Sequence, residues 1–241
     1  MLLDAHVHLS LFPQEQIPTL IDRARESHLE LLCVSCDLED SRLNLKLAAQ
    51  YGCRVLIGLH PWFATSPHLE RAKFEELLSG GICCGIGECG LDARQGLPVL
   101  QQLTLLRSLL ELACDCKLPV NLHVRHAHNE LLTLLRRFRG SLRGCVHNFT
   151  FSAELAQAYR REHMLLSVGH HLLFRHQRLC ESVRLAGPEG LLFETDADFI
   201  HSGPYKIDDI ACLYEAAASL LGLKTEVLER IVWDNAAIFR K

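Results

Sequence analysis

The chain has 241 residues, of which 49% are hydrophobic, so it can bury a sizeable core in one large domain or two small ones. Its formal net charge of −4, from 25 basic and 29 acidic residues, excludes a globally basic nucleic-acid binder. Any contact with nucleic acid must therefore be local, or the substrate must be small.

Apolar runs alternate with amphipathic helical patterns along the whole chain. Strands are predicted, in chain order, at residues 2–7, 30–36, 54–61, 82–90, 118–124, 144–149, 164–169 and 190–196. Helices are predicted at residues 15–28, 39–52, 68–81, 96–117, 127–140, 152–163, 174–187 and from Ile207 onward. Continuous apolar strands that are each followed by a helix predict a parallel sheet covered by helices. Eight such units predict an α/β fold of the (β/α)8 TIM-barrel type, as one domain over residues 1–241, with a doubly wound open sheet as the alternative.

The 11 cysteines do not predict a disulfide framework. Their number is odd, and several lie in apolar, strand-like runs such as LLCVSC and ICCGIGECG. The sequence shows no signal-peptide pattern and no apolar run of membrane length. We therefore expect a reduced cytoplasmic protein, a monomer with no membrane partner, whose cysteines are small buried hydrophobes.

Residues that bind metals or move protons stand at the ends of nearly all the predicted strands. In chain order these are His6 and His8, Cys36 and Asp37, His60, Glu88, His123, His147, His170 and Asp196. The C-terminal ends of the strands form the active-site face of a TIM barrel. Structural histidines would not fall there so consistently, and the pattern therefore predicts an active site that uses metal ions.

The D-x-H-x-H motif of the first predicted strand has a direct physical interpretation. Residues i and i+2 of a strand project to the same face, so His6 and His8 can hold one cation together. Asp4 lies one step deeper, and we expect it to orient an imidazole rather than to bind the metal. Two imidazoles alone hold a metal loosely, and the acids available at strand ends are Glu88 and Asp196.

Glu88 lies in a glycine-rich strand whose flanking glycines leave room for close approach. His123 and His147 supply a second pair of imidazoles. These residues together predict two adjacent positions for divalent cations (Mg²⁺, Mn²⁺ or Zn²⁺), with Glu88 as the bridge. Two cations about 3.5–4 Å apart activate a water molecule and hold both the attacked and the leaving oxygen.

Six short motifs resemble those of the TatD family of metal-dependent deoxyribonucleases, within the amidohydrolase superfamily. They are, in order, DAHVHL, GLHP, GECGLD, HVR, HNFT and ETDA, and the closing NAAIF looks like the C-terminal helix of that family. The resemblance covers nearly the whole chain. It implies a TIM barrel, two divalent cations and hydrolysis of phosphodiester bonds, with 3′-to-5′ exonuclease-like action on single-stranded DNA.

The resemblance also implies roles for individual residues. It assigns His6, His8, Glu88 and Asp196 to one metal site, and Glu88, His123 and His147 to the other. Asp196 and Glu88 would be catalytic, with Asp196 orienting the attacking water and taking its proton. His60 would face the substrate, where it could contact a phosphate or protonate the leaving oxygen. Arg125 is a candidate phosphate clamp, because a guanidinium group can hold two oxygens at once.

Three of the motifs depart from the usual pattern of the family. Asn148 and Phe151 stand in HNFTF where HSFTG is common, and Asp198 replaces the proline of ETDAP. His126 stands where an acid is usual. We expect none of these residues to touch a metal ligand, and we expect all of them to affect the choice of substrate.

Two other functions remain compatible with the sequence. A two-metal hydrolase of another ester or amide, such as a D-aminoacyl-tRNA deacylase, would use the same ligands. A degenerate barrel that only binds a partner is the non-catalytic alternative.

Two features near the predicted site allow more than one interpretation. Trp62 and Phe63 follow the third strand, where they could stack a nucleobase or simply cap the rim of the barrel. Asp92 could bind substrate, but a hydrogen bond within its loop is the simpler interpretation.

Overall fold

The structure, a computed structural model, describes residues 1–198, 203 and 205–240. Eight strands form one sheet in the order of the chain, and every neighbouring pair is parallel. They are β1 (Leu2–Val7), β2 (Leu29–Cys33), β3 (Arg54–Leu59), β4 (Cys83–Asp92), β5 (Val120–Arg125), β6 (Gly144–Val146), β7 (Met164–Val168) and β8 (Leu191–Phe193).

Helices connect the strands and cover the outside of the sheet. They are α1 (Ile17–Glu26), α2 (Leu38–Tyr51), α3 (Arg71–Ser79), α4 (Val99–Asp115), α5 (His128–Leu135), α6 (Ala153–Arg161), α7 (Gln177–Ala186), α8 (Ile207–Leu221) and α9 (Thr225–Asn235). Short 3₁₀ turns lie at Leu9–Leu11, Arg136–Phe138, His170–Phe174, Pro188–Gly190 and Ala236–Phe239. Within the described ranges, the structure has no helix that is both long enough and apolar enough to span a bilayer.

The sheet curves round so that β1 meets the chain just beyond β8. The backbone N–H of His8 donates to the carbonyl of Ala197 at 2.9 Å, and the N–H of Asp196 donates to the carbonyl of His6 at 3.1 Å. These bonds confirm the predicted TIM-barrel type of fold. They also place the two histidines of the first strand directly beside Asp196, although these residues are far apart in sequence.

The second, sixth and eighth strands end earlier than predicted, at Cys33, Val146 and Phe193. Beyond the last two of these, the backbone enters the left-handed region at Asn148 (φ 45°) and Asp196 (φ 53°). A strand cannot continue through that conformation. The chain therefore leaves the sheet at the point where the site begins.

Glycines let the strands that carry the site approach each other closely. A Cβ atom at Gly90 would lie 1.9 Å from the carbonyl oxygen of His123, and one at Gly58 would lie 2.4 Å from that of Glu88. No side chain fits at either distance. Gly90 of β4 thus allows close approach to β5, as the glycine-rich strand predicted, and Gly58 of β3, which the sequence analysis did not single out, allows close approach of β3 to Glu88.

Candidate metal centre

The predicted ligands meet in a cavity of 540 Å³ at the C-terminal ends of the strands. Glu88, His123, His147 and Asp196 line the cavity, while His6 is fully buried beneath it. The remaining lining includes aromatic and imidazole side chains together with polar and aliphatic ones. This is the end of the barrel at which (β/α)8 enzymes carry their active sites.

Glu88 is the centre of the cluster, and its two oxygens face different pairs of imidazoles. Oε2 lies 3.2 Å from Nε2 of His6 and 3.6 Å from Nε2 of His8. Oε1 lies 2.9 Å from Nδ1 of His123 and 2.9 Å from Nε2 of His147. One carboxylate is therefore shared by two sets of nitrogen donors.

A carboxylate oxygen from the segment that follows β8 completes the first of these sets. Oδ1 of Asp196 lies 3.6 Å from Nε2 of both His6 and His8. Burial alone would raise the pKa of Asp196, but the close contact with His8 and the neighbouring imidazole charges lower it to about 2. Asp196 is therefore ionised at neutral pH, as a metal ligand must be.

Burial alone would also raise the pKa of Glu88. The charges of His147 and the other imidazoles, together with the hydrogen bond from His123, instead hold that pKa well below its usual range. A fully buried carboxylate is thus kept negative by the groups around it, and its negative charge is available to a cation.

The position of Glu88 depends on an irregularity in β4. Ile86 pairs with Val120 and Cys89 pairs with Leu122, so β4 uses three steps where β5 uses two. The extra residue forms a bulge in the stretch that contains Glu88. Bulges of this kind redirect a side chain, and here the carboxylate reaches imidazoles carried by β1, β5 and the end of β6.

The ring nitrogens of each set lie close enough together to bind one cation. Nε2 of His6 and Nε2 of His8 lie 3.3 Å apart, and Nδ1 of His123 and Nε2 of His147 lie 3.0 Å apart. A neutral imidazole has one N–H and one lone pair, so each of these nitrogens can offer a lone pair to a cation when the proton is on the other nitrogen of its ring. Two ligands of one cation, each about 2.1 Å from it, lie about 3.0–3.4 Å apart. The donor set therefore fits divalent cations.

A buried amide sets the orientation of His6. Oδ1 of Asn121 lies 3.2 Å from Nδ1 of His6, which leaves Nε2 with the lone pair that a metal needs. Sequence reasoning missed Asn121, although it lies two residues before His123 on β5 and therefore shares its face.

The prediction that Asp4 orients an imidazole is wrong. Its carboxylate accepts hydrogen bonds from the backbone and hydroxyl of Thr195 (3.0 and 2.6 Å), the hydroxyl of Tyr205 (2.7 Å) and the backbone of His6 (3.3 Å). The reason is a register shift in β1 between Asp4 and Val7, which disturbs the alternation of faces along the strand.

Two further groups face the outer nitrogens of the ligands. Sγ of Cys36 lies 3.6 Å from Nδ1 of His8. Oε1 of Glu194, a fully buried carboxylate, lies 3.5 Å from Nδ1 of His147. Glu194 was not singled out in the sequence, although it stands two residues before Asp196 in the ETD motif. Such neighbours orient the rings and favour the tautomer that binds metal.

His60 lies closer to Glu88 than we expected for a residue that only faces the substrate. It is buried, and its Nε2 lies 3.3 Å from Oε1 of Glu88. Its Nδ1 accepts a hydrogen bond from the backbone N–H of Trp62 at 3.2 Å, so the proton of the neutral ring is on Nε2. In this tautomer the Nε2–H of His60 can donate a hydrogen bond to Glu88 or to an oxygen of the substrate.

Arg125 lies at the rim, with a side chain that is half exposed and Nη1 4.0 Å from Oδ2 of Asp92. Asp92 accepts hydrogen bonds from Nε1 of Trp62 (2.8 Å) and from the backbone N–H of Arg94 (2.7 Å). Asp92 therefore has a structural role in its loop, which was the simpler of the two interpretations.

One expectation about the departures from the TatD pattern is wrong. Asn148 does touch a predicted ligand, because its Nδ2 donates to Oδ2 of Asp196 at 3.2 Å. Its left-handed backbone (φ 45°) turns the side chain towards the segment that follows β8, which the sequence did not indicate. Phe151, His126 and Asp198 line the cavity, where they are placed to affect the choice of substrate.

Replacing Asn121 with leucine should weaken metal binding by about 10- to 100-fold, because Nδ1 of His6 would lose its acceptor. Asn121→Asp retains an oxygen at this position and should weaken binding less. Titration of the metal-free protein with Mn²⁺, followed by calorimetry, measures both variants. Equal affinities for the wild type and Asn121→Leu would contradict the role given to this amide.

Comparison with known proteins agrees with this geometry. The model of the family described as TatD related DNase matches residues 3–240. A 3′-5′ ssDNA/RNA exonuclease TatD of Erwinia amylovora is 31% identical over 189 residues, which cover 75% of this chain and 73% of the relative. An uncharacterized metal-dependent hydrolase of Haemophilus influenzae is 26% identical over 97% of each chain.

Solved structures show the same fold. The TatD homologue YjjV of Escherichia coli superposes with a TM-score of 0.87 at 23% identity, covering 99% of this chain and 97% of the other. A TatD family hydrolase of Entamoeba histolytica superposes with a TM-score of 0.80 at 20% identity, with coverage of 99% and 97%.

Proposed function

Because the chain belongs to the TatD related DNase family of metal-dependent hydrolases, we propose that it hydrolyses phosphodiester bonds in single-stranded DNA, removing nucleotides from the 3′ end. The observation that carries this proposal is the position of Glu88, whose two oxygens each face a separate pair of imidazoles at the floor of an open cavity. The relatives named as exonucleases support DNA or RNA as the substrate.

Two divalent cations are the proposed cofactors, and the chain would hold them with two sets of ligands. The first set is His6, His8, Glu88 and Asp196, and the second is Glu88, His123 and His147. When bound, the cations supply positive charge that polarises the phosphate and lowers the pKa of water.

The chain's own residues then move the protons. The oxygen of a water molecule forms a bond to phosphorus while Asp196, which is ionised and partly open to the cavity, takes the proton of that water. The bond from phosphorus to the leaving alcohol breaks, and the Nε2–H of His60 donates a hydrogen bond to that oxygen, which takes its proton from a solvent water molecule. Arg125 at the rim holds a non-bridging phosphate oxygen.

The proposal includes a single domain that acts as a monomer in the cytoplasm. The odd number of cysteines, several of them in apolar strand-like runs, supports a reducing environment.

The direct test uses purified protein with end-labelled single-stranded DNA and Mg²⁺, Mn²⁺ or Zn²⁺. We expect shortening from the 3′ end that stops when a chelator is added. Charged tRNA and simple carboxylic esters are tested in parallel. Turnover of those substrates without turnover of DNA or RNA would overturn the proposal in favour of another ester hydrolase, and protein that binds none of these metals would favour a non-catalytic barrel.

A further inference from the structure

Two adjacent aromatic side chains are exposed at the mouth of the cavity. Trp62 is 41% exposed and Phe63 is 51% exposed, and both line the cavity that contains Glu88. Large apolar side chains are normally buried, and exposed ones that border a ligand cavity often mark a binding surface. An aromatic side chain that only capped the barrel would stabilise the fold more if it were buried.

The ring of Trp62 is held in a defined orientation. Its Nε1 donates to Oδ2 of Asp92 at 2.8 Å, and its ring meets that of His60 edge to face, with centroids 4.9 Å apart. Asp92 is itself buried and held by the backbone of Arg94. The indole is thus fixed by a polar contact on one side while much of its surface stays open, which is an arrangement suited to stacking.

The same ring lies close to the reacting groups. Its centroid is 6.0 Å from that of His123, and Asp92, its hydrogen-bond partner, also faces the guanidinium of Arg125. A phosphate held between the cluster and Arg125 would have an adjoining ring of the same nucleotide within reach of Trp62. A phosphate site beside an aromatic platform is the pairing used to bind single-stranded nucleic acids.

We propose that Trp62, extended by Phe63, forms a stacking subsite for a nucleobase whose phosphate lies over the metal centre. This inference rests on the proposed function, from which it takes the class of substrate. It adds that the protein recognises the nucleobase of that substrate as well as its phosphate. The subsite accepts any base, because every base has a flat π-face.

The test compares thymidine 5′-monophosphate with 2-deoxyribose 5-phosphate, which carries the same phosphate but no base. Neither compound has a phosphodiester bond, so binding is measured without turnover. In a Trp233→Phe background, Trp62 is the remaining tryptophan. We expect thymidine monophosphate to quench its fluorescence and to bind about tenfold more tightly than the base-free sugar phosphate.

Calorimetry on Trp62→Leu should show that this tenfold preference is lost, and Trp62→Phe should retain part of it. Trp233→Phe is the matched control, because Trp233 lies on α9 with its ring under Arg240. Phe63→Leu tests the same subsite if Trp62→Leu does not fold. An undiminished preference in both leucine variants, or equal quenching by the two compounds, would overturn the proposal.

Activity assays separate this inference from the proposed function. If the subsite exists, wild-type protein should cleave oligothymidylate about tenfold more efficiently than an abasic oligomer of the same length, and Trp62→Leu should abolish that ratio. Protein that shows the binding preference but cleaves neither oligomer would contradict the nuclease activity and leave the subsite standing.

Discussion

Glu88→Gln should lose about 10³-fold or more in DNA hydrolysis, together with most of its affinity for divalent cations. The carboxylate faces both sets of imidazoles, with one oxygen 3.2 Å from His6 and the other 2.9 Å from His147. Glutamine has no charge, and its amide nitrogen cannot bind a metal ion. Both proposed cation positions would therefore lose a ligand through one substitution.

Two measurements check this expectation independently. Steady-state hydrolysis of labelled DNA gives the loss of activity, and the melting temperature with and without Mn²⁺ reports metal binding, because a ligand of the folded state stabilises it. Glu76→Gln, which removes an exposed carboxylate on α3, is the matched control and should behave as wild type. A Glu88→Gln protein that keeps both its activity and its Mn²⁺-dependent stabilisation would refute a bridging role.

Asp196→Asn should lower kcat by about 10²- to 10⁴-fold, the range expected for loss of a general base. Asparagine cannot take a proton from water. Its amide also has only one oxygen, whereas the carboxylate offers Oδ2 to Asn148 and Oδ1 to the two imidazoles of His6 and His8. Metal binding should fall less than in Glu88→Gln, because Glu88 remains and its Oε1 still faces His123 and His147.

Comparing the loss of kcat with the loss of metal affinity in each variant distinguishes the role of Asp196 from that of Glu88. Asp234→Asn, on the exposed side of α9, is the control for the loss of one negative charge. Asn148→Ala, which leaves the carboxylate but removes its amide partner, should lower kcat by less than Asp196→Asn. A kcat for Asp196→Asn equal to that of wild type would rule out Asp196 as the base.

Much of the architecture follows from local patterns in the sequence. Apolar runs followed by amphipathic helices predicted all eight strands, because a strand buried on both faces must be apolar throughout. The polar residues at the ends of those runs then had to meet, since parallel strands of a barrel end on one face. Glu88, His123 and Asp196 could therefore be selected from the sequence before their distances were known.

The tertiary structure alone decided which groups support the ligands. Asn121 reaches His6 from across the barrel, and the left-handed turn at Asn148 brings its amide to Asp196. Neither contact follows from sequence spacing, because each joins elements that only barrel closure brings together. The register shift in β1 likewise turned Asp4 towards Thr195 and Tyr205.

One physical reason explains why some features follow from the sequence and others only from the tertiary structure. The period of a strand or a helix is a local property, so the sequence by itself determined the elements, their order and the chemistry at their ends. A bulge that shifts the side-chain pattern, or a hydrogen bond between β1 and β5, depends on how whole strands pack. Closure of the barrel therefore decided how the imidazoles are oriented and that Glu88 faces two pairs of them.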